Sequence, residues 1–146
     1  MTSTILVTGV NGDIGRDVVR QALAQGKRVL ATVRNEAHCD TFDPHPDLHF
    51  LVMHTDQPPS VKQAFQQADQ ILQKDPLNAV IHCAAIQRPA CVEFMDPRHL
   101  EQTLRVNTIG SLSVMQNAFP RLRSSRGNLV MASSILGLLY GPAVTP

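Results

Sequence analysis

Residues Thr8-Gly9-Val10-Asn11-Gly12-Asp13-Ile14-Gly15 set three glycines three residues apart, between an apolar β-branched run and an amphipathic segment. Glycine at 9 permits a tight turn. Glycine at 12 lets main-chain N–H groups come close to a pyrophosphate, and glycine at 15 lets the following helix pack closely. The start of that helix adds unpaired donors and a partial positive charge for phosphates. The chemistry this predicts is dinucleotide binding, with Thr8, Gly9, Asn11, Gly12, Asp13, Ile14 and Gly15 forming the cradle. Arg34 follows Gly15 by 19 residues. An acidic residue in that region holds a ribose 2′-hydroxyl, whereas an arginine accommodates a 2′-phosphate. Val33-Arg34-Asn35 therefore favours NADP(H) over NAD(H).

Two other chemistries fit the residues less well. His82 and Cys83 are adjacent on an apolar strand, so their side chains point to opposite faces and cannot share a metal. Cys91 lies eight residues on and no fourth ligand presents itself, so no metal site is expected. Cys83 as a nucleophile needs a base and an oxyanion site, which the neighbouring sequence does not supply. The three cysteines, without CxxC spacing, read as reduced thiols of a cytoplasmic protein.

These residues need elements to place them. Thr4 to Thr8, Lys27 to Val33, Leu48 to Met53, Ala79 to Cys83 and Asn128 to Ala132 read as strands. Arg16 to Gln25 puts Val18, Val19, Ala22 and Leu23 on one helical stripe, and Gly26 stops it. Arg34 to Asp47 reads as loop. A second helix opens at Pro58-Pro59-Ser60, with Ser60 and Gln63 as a capping box. A third starts at Asp96-Pro97 and runs to about Phe119. Strands alternating with helices predict an α/β fold with a doubly wound parallel sheet, strand order 3-2-1-4-5. Its crevice lies at the carboxyl ends of strands 1 and 4, where the glycine loop, Arg34, His82 to Ala85 and Ser133-Ser134 all fall. A chain of 146 residues is one domain's worth. Its net charge of +1 gives no electrostatic case for nucleic acid or a membrane surface, and no apolar run is long enough to span a bilayer.

Thr8-Gly9-x-x-Gly12-x-x-Gly15, Ala79-Val80-Ile81-His82-Cys83-Ala84-Ala85, Val106-Asn107-x-x-Gly110 and Asn128-Leu129-Val130-x-x-Ser133-Ser134-x-x-Gly137 occur in that order. On these motifs the whole chain resembles the short-chain dehydrogenase/reductase family. The resemblance implies a single Rossmann domain over residues 1–146 and an NAD(P)-dependent oxidoreductase. Hydride would pass between nicotinamide and a small-molecule carbonyl or alcohol. It implies that Ser134 is the catalytic serine on the substrate oxygen. It implies that Asn107 kinks its helix and holds a water of the proton relay. Cys83, Ala84 and Ala85 would line the nicotinamide-ribose side. The full-length protein would be a homo-oligomer, through a contact that includes Asp96 to Phe119. His54 and Asp56 both compete for the family's adenine-contacting position.

The glycine spacing and His82-Cys83-Ala84-Ala85 resemble the extended branch, whereas Phe119-Pro120, Gly127 and Ser133-Ser134-x-x-Gly137 resemble the simple reductases. The family's Tyr-x-x-x-Lys pair has no counterpart, because Tyr140 is followed four residues on by Val144. The reading is of a nucleotide-binding part truncated before its catalytic helix, inactive by itself. Two alternatives remain: an extended-branch sugar-nucleotide epimerase or dehydratase, and a non-catalytic NAD(P)-binding module. A missing helix is expected to leave Val80 to His82 and Leu129 to Met131 bare.

Overall fold

The structure is a computed structural model and describes residues 3–138. Residues Thr4-Ile5-Leu6-Val7-Thr8 form β1 (Thr4–Thr8), buried at every position. An uncharged, β-branched run of this kind is stable only with strand neighbours on both sides and cover on both faces. β2 (Arg28–Val33), β3 (Leu48–Val52), β4 (Leu77–His82) and β5 (Asn128–Met131) complete a parallel sheet of order β3-β2-β1-β4-β5. This is the doubly wound order that the alternation of elements predicts.

Alternate residues of each strand divide between two cores. Leu6, Leu30, Leu51 and Val80 face α2 (Pro58–Leu72) and α4 (Ser111–Ser125), which contribute Phe65, Val114 and Leu122. Ile5, Val7, Val29 and Ala31 face α1 (Asp13–Ala24), which contributes Val19 and Ala22. Gly26 ends α1 at φ +68°, as its position predicts. The stretch after β2, expected as loop, carries a 3₁₀ turn at Glu36–Thr41, capped by Asn35 Oδ1 on the Ala37 N–H at 3.0 Å. Arg16 of α1 lies over the Phe42 ring beside it, 5.1 Å from the centroid.

The second helix does not use the expected capping box. It starts at Pro58, and Ser60 Oγ accepts from the His54 N–H at 3.0 Å, closing the turn after β3. Pro58 and Pro59 carry no N–H, so the first turn has fewer orphan donors for a cap to satisfy. At α3 (Pro97–Leu104) the expected cap is present: Asp96 Oδ1 accepts from the Arg98 N–H at 2.9 Å. A π-helical turn at Arg105–Gly110 joins α3 to α4. The helix also runs past Phe119, through Pro120, to Ser125. Buried Leu122 and the Arg121 side chain hold it there, against the hydrogen bond that proline removes. Arg121 Nε donates to Asp69 Oδ1 at 2.7 Å, Nη1 to the Asn117 carbonyl at 2.6 Å and Nη2 to the Phe65 carbonyl at 3.3 Å. Its guanidinium also sits over the Phe65 ring.

The expected bare patch is corrected in its face. Val80 and His82 are buried under α4, because a strand offers only alternate residues to one side. The thinly covered side carries Ala79, Ile81 and Val130, the last 51% exposed. Arg121→Ala is expected to lower unfolding free energy by roughly 1–2 kcal/mol, through lost stem packing and a partly exposed ion pair. Urea denaturation measures this; no change in midpoint would mean that apolar contact alone joins α2 to α4.

Candidate functional site

The carboxyl ends of the first four strands open on a cleft of about 240 Å³. It lies where the strand order reverses: β1 leads to β2 on one side, while β4 pairs on the other. Gly9, Asn11, Gly12, Arg34, Cys83, Ala84 and Ala85, all marked by the sequence, line it. Thr8, Asp13, Ile14 and Gly15 do not.

The glycine loop divides its labour. Gly9 has φ +71°, and a Cβ there would stand 2.6 Å from the Ala84 nitrogen. A Cβ on Gly15 would stand 2.4 Å from the Gly9 oxygen, so any side chain would push α1 off the loop. Gly12 is different. Its nearest neighbour would be the Gly9 oxygen at 3.5 Å, ordinary contact, so the chain itself does not demand glycine there. The space that Gly12 leaves open belongs to the cleft. Gly12 also begins α1 without a side-chain cap. The amides of Asp13, Ile14 and Gly15 have no side-chain acceptor among the described residues, and their contribution is main-chain. Asn11 Oδ1 is buried without a partner among the described residues, an acceptor that suits a hydroxyl donor.

Behind this loop stands His82, 2% exposed. Its Nδ1 lies 2.7 Å from Thr8 Oγ1 and its Nε2 lies 3.0 Å from Ser111 Oγ. Thr8 Oγ1 also accepts from the Ala84 N–H at 3.2 Å. Each hydroxyl has one proton and two lone pairs, so a neutral ring can donate from one nitrogen and accept at the other without leaving either unpaired. Asn107 lies in the π-helical turn. Its Nδ2 donates to the Ile86 carbonyl at 2.8 Å and its Oδ1 accepts from the Ile86 N–H at 2.9 Å. The side-chain amide of Asn107 thus engages the wall of the cleft directly. Burial pushes the Cys83 thiol above its ordinary range, which makes it a poor nucleophile.

Ser134 lies beyond the carboxyl end of β5, which the Ala132 N–H ties to the His82 carbonyl at 2.9 Å. Ser134 is exposed, and its Oγ accepts from the Leu136 N–H at 3.2 Å, capping a short 3₁₀ turn. Neither Ser134 nor Asn107 lines the 240 Å³ cleft. Tyr140 and Val144 lie outside the described residues.

A profile of the family described as short chain dehydrogenase matches residues 3–146. The chain belongs to the short-chain dehydrogenases. The chain is similar to "NADPH-dependent 3-dehydrocapnine reductase" of Ornithobacterium rhinotracheale, with 26% identity over 97% of the chain and 52% of the relative. Its fold resembles "ElxO with NADP Bound", TM-score 0.89 at 18% identity, over 99% of this chain and 60% of that one. It also resembles a short chain dehydrogenase of Leptospira borgpetersenii with bound NAD+, TM-score 0.85 at 19% identity, over 97% and 55% of the two chains. The chain spans about half the length of the curated relatives it matches.

The cleft also holds residues that sequence reasoning missed. Thr32, Val33, Met53 and Thr55 line it, and so do both His54 and Asp56, whose contact the sequence left open. Their signal was position, since they end or follow β2 and β3. Ile86, Gln102 and Val106 also line it. Gln102 carries no sequence signal and Val106 only its place in the Val106-Asn107-x-x-Gly110 motif, because the packing of α3 and the π-helical turn brings both to the cleft. Among the described residues, no helix is long and apolar enough to cross a membrane.

Desolvation lowers the His82 pKa from its ordinary 6.5. The unfolded chain therefore binds the proton more readily than the fold does. Stability due to the neutral ring is complete above about pH 6.5 and is lost as pH falls below it, at no more than about 1.4 kcal/mol per pH unit. Calorimetry between about pH 7 and pH 5 is expected to give a falling Tm, and a flatter profile for His82→Gln. Parallel profiles would place the acid sensitivity on other groups.

Proposed function

We propose that this chain binds NADP(H) across the cleft and supplies the nucleotide-binding part of a reductase. The complete protein would pass hydride between nicotinamide and a small carbonyl or secondary alcohol. The observation that carries this reading is the glycine loop. Gly9 is wedged against Ala84, Gly12 is open to the cleft, and an uncapped helix start follows. That arrangement offers main-chain donors and a positive dipole end to a pyrophosphate. Asn11 Oδ1 would accept from a ribose hydroxyl. Arg34 lines the same cleft and makes no ion pair or hydrogen bond among the described residues, which suits a 2′-phosphate.

When bound, the nicotinamide gives or takes the hydride. The chain's residues orient and polarise. Asn107 fixes Ile86 on the wall beside Cys83, Ala84 and Ala85. Ser134 accepts from Leu136, so its own proton remains available to a substrate oxygen, which it would polarise. Val144, four residues beyond Tyr140, does not supply the family's lysine. That favours a second reading, nucleotide binding without turnover, for this chain by itself. Leu104 of α3, Ile109 of the π-helical turn, and Leu112 and Phe119 of α4 are exposed apolar residues, which supports a homo-oligomer formed through these helices.

NADPH fluorescence titration tests the cofactor reading. Arg34→Glu is expected to weaken NADPH binding about tenfold or more while NADH binding changes little. Equal losses for both nucleotides would remove the 2′-phosphate assignment. The same 146-residue chain is expected to reduce no carbonyl compound with NADPH; measurable turnover would overturn the second reading.

A further inference from the structure

The wall of the cleft after β4 is tied down at alternate residues. His82 is held by Thr8 and Ser111, the Ala84 N–H by Thr8, and Ile86 by Asn107. These bonds close a ring. It passes from Thr8 through the His82 imidazole to Ser111, back along one helical turn to Asn107, across to Ile86, and along the chain to Ala84 and Thr8. Ser111 directly follows the π-helical turn that carries Asn107. Thr8 directly precedes Gly9, whose bare Cα rests on Ala84. The imidazole therefore links, by hydrogen bonds, the residue that follows the Asn107 turn to the strand end that carries the glycine loop.

We propose that His82 is a positioning residue that couples the Asn107 turn to the glycine loop, so that the two sides of the cleft are held in register through one buried ring. The inference rests on the nucleotide-binding reading only for its affinity arm. A neutral imidazole suits the task. It presents one donor and one acceptor at opposite ends of a rigid plane, so it spans two hydroxyls of different elements without introducing charge. Polar groups in such a buried network hold one another in place, and removing one partner loosens the rest.

The test uses Ser111, which does not line the cleft. Ser111→Ala deletes one bond of the ring, and Ser111→Thr keeps the hydroxyl. At a temperature where all variants are folded, Ser111→Ala is expected to weaken NADPH binding by about three- to tenfold, with Ser111→Thr restoring it. His82→Gln, which reaches only one of the two hydroxyls, is expected to behave like Ser111→Ala. Independently of nucleotide, amide hydrogen exchange is expected to accelerate at Ala84 in the Ser111→Ala chain. Where the unsubstituted chain binds NADPH, unchanged affinity in Ser111→Ala overturns the coupling, and unchanged Ala84 exchange in Ser111→Ala overturns it in either case. Faster Ala84 exchange in Ser111→Ala, with no NADPH binding by the unsubstituted chain, would leave the coupling standing and remove the nucleotide reading.

Discussion

The close approach of Gly9 to the Ala84 nitrogen sets the geometry of the cleft. β1 and β4 run side by side as far as the pair Thr8 and His82. Just beyond that pair the two chains must part, one turning into α1 and the other running on along the cleft wall. A parallel strand pair leaves less than 5 Å between backbones, and a side chain at the point of parting would strike main chain that cannot move. Glycine removes the atom that would clash and reaches the left-handed conformation without strain. The direction of α1, the bare start of its first turn and the opening between the loops all follow from that one contact.

Polar groups around the contact divide into two kinds. Thr8, His82, Ser111 and Asn107 are joined in hydrogen bonds to one another or to the main chain of the wall, as buried polar atoms must be if they are to stabilise rather than strain a fold. Asn11 and Arg34 line the cleft, and Asn11 Oδ1 and the Arg34 side chain have no partners among the described residues. The satisfied groups fix the position of the wall, and the two unpaired ones are those to which the proposed function gives a ligand. Cys83 lies between the two kinds, a half-buried neutral thiol that contributes shape and no charge.

Where expectation and structure part company, a local rule met a stronger tertiary term. Ser60 has the spacing of a capping residue, but the helix starts at Pro58, so Ser60 already lies in its first turn and its hydroxyl accepts from the His54 N–H instead. Pro120 reads as a helix end, yet Leu122 is buried and Arg121 clasps α2, so the helix continues to Ser125. The bare sheet face was expected across whole stretches of β4 and β5. The two-residue period of a strand confines it to alternate positions such as Ile81 and Val130.

The sequence by itself determined the strand order, the glycine loop and the crevice, because these depend on short-range patterns: apolar runs, glycine spacing and the alternation of elements. It also placed Arg34 and Cys83 to Ala85 at the cleft, since strand ends are read directly from those runs. Only the tertiary structure decided what His82, Asn107 and Ser134 touch. Their partners lie 74, 29 and 21 residues away for the first two, and only two residues away for Ser134, whose hydroxyl turned to its own chain. It likewise decided that His54, Asp56, Gln102 and Val106 share one cleft. Hydrogen bonds and contacts between distant segments depend on how helices settle on the sheet, and no local periodicity encodes that packing.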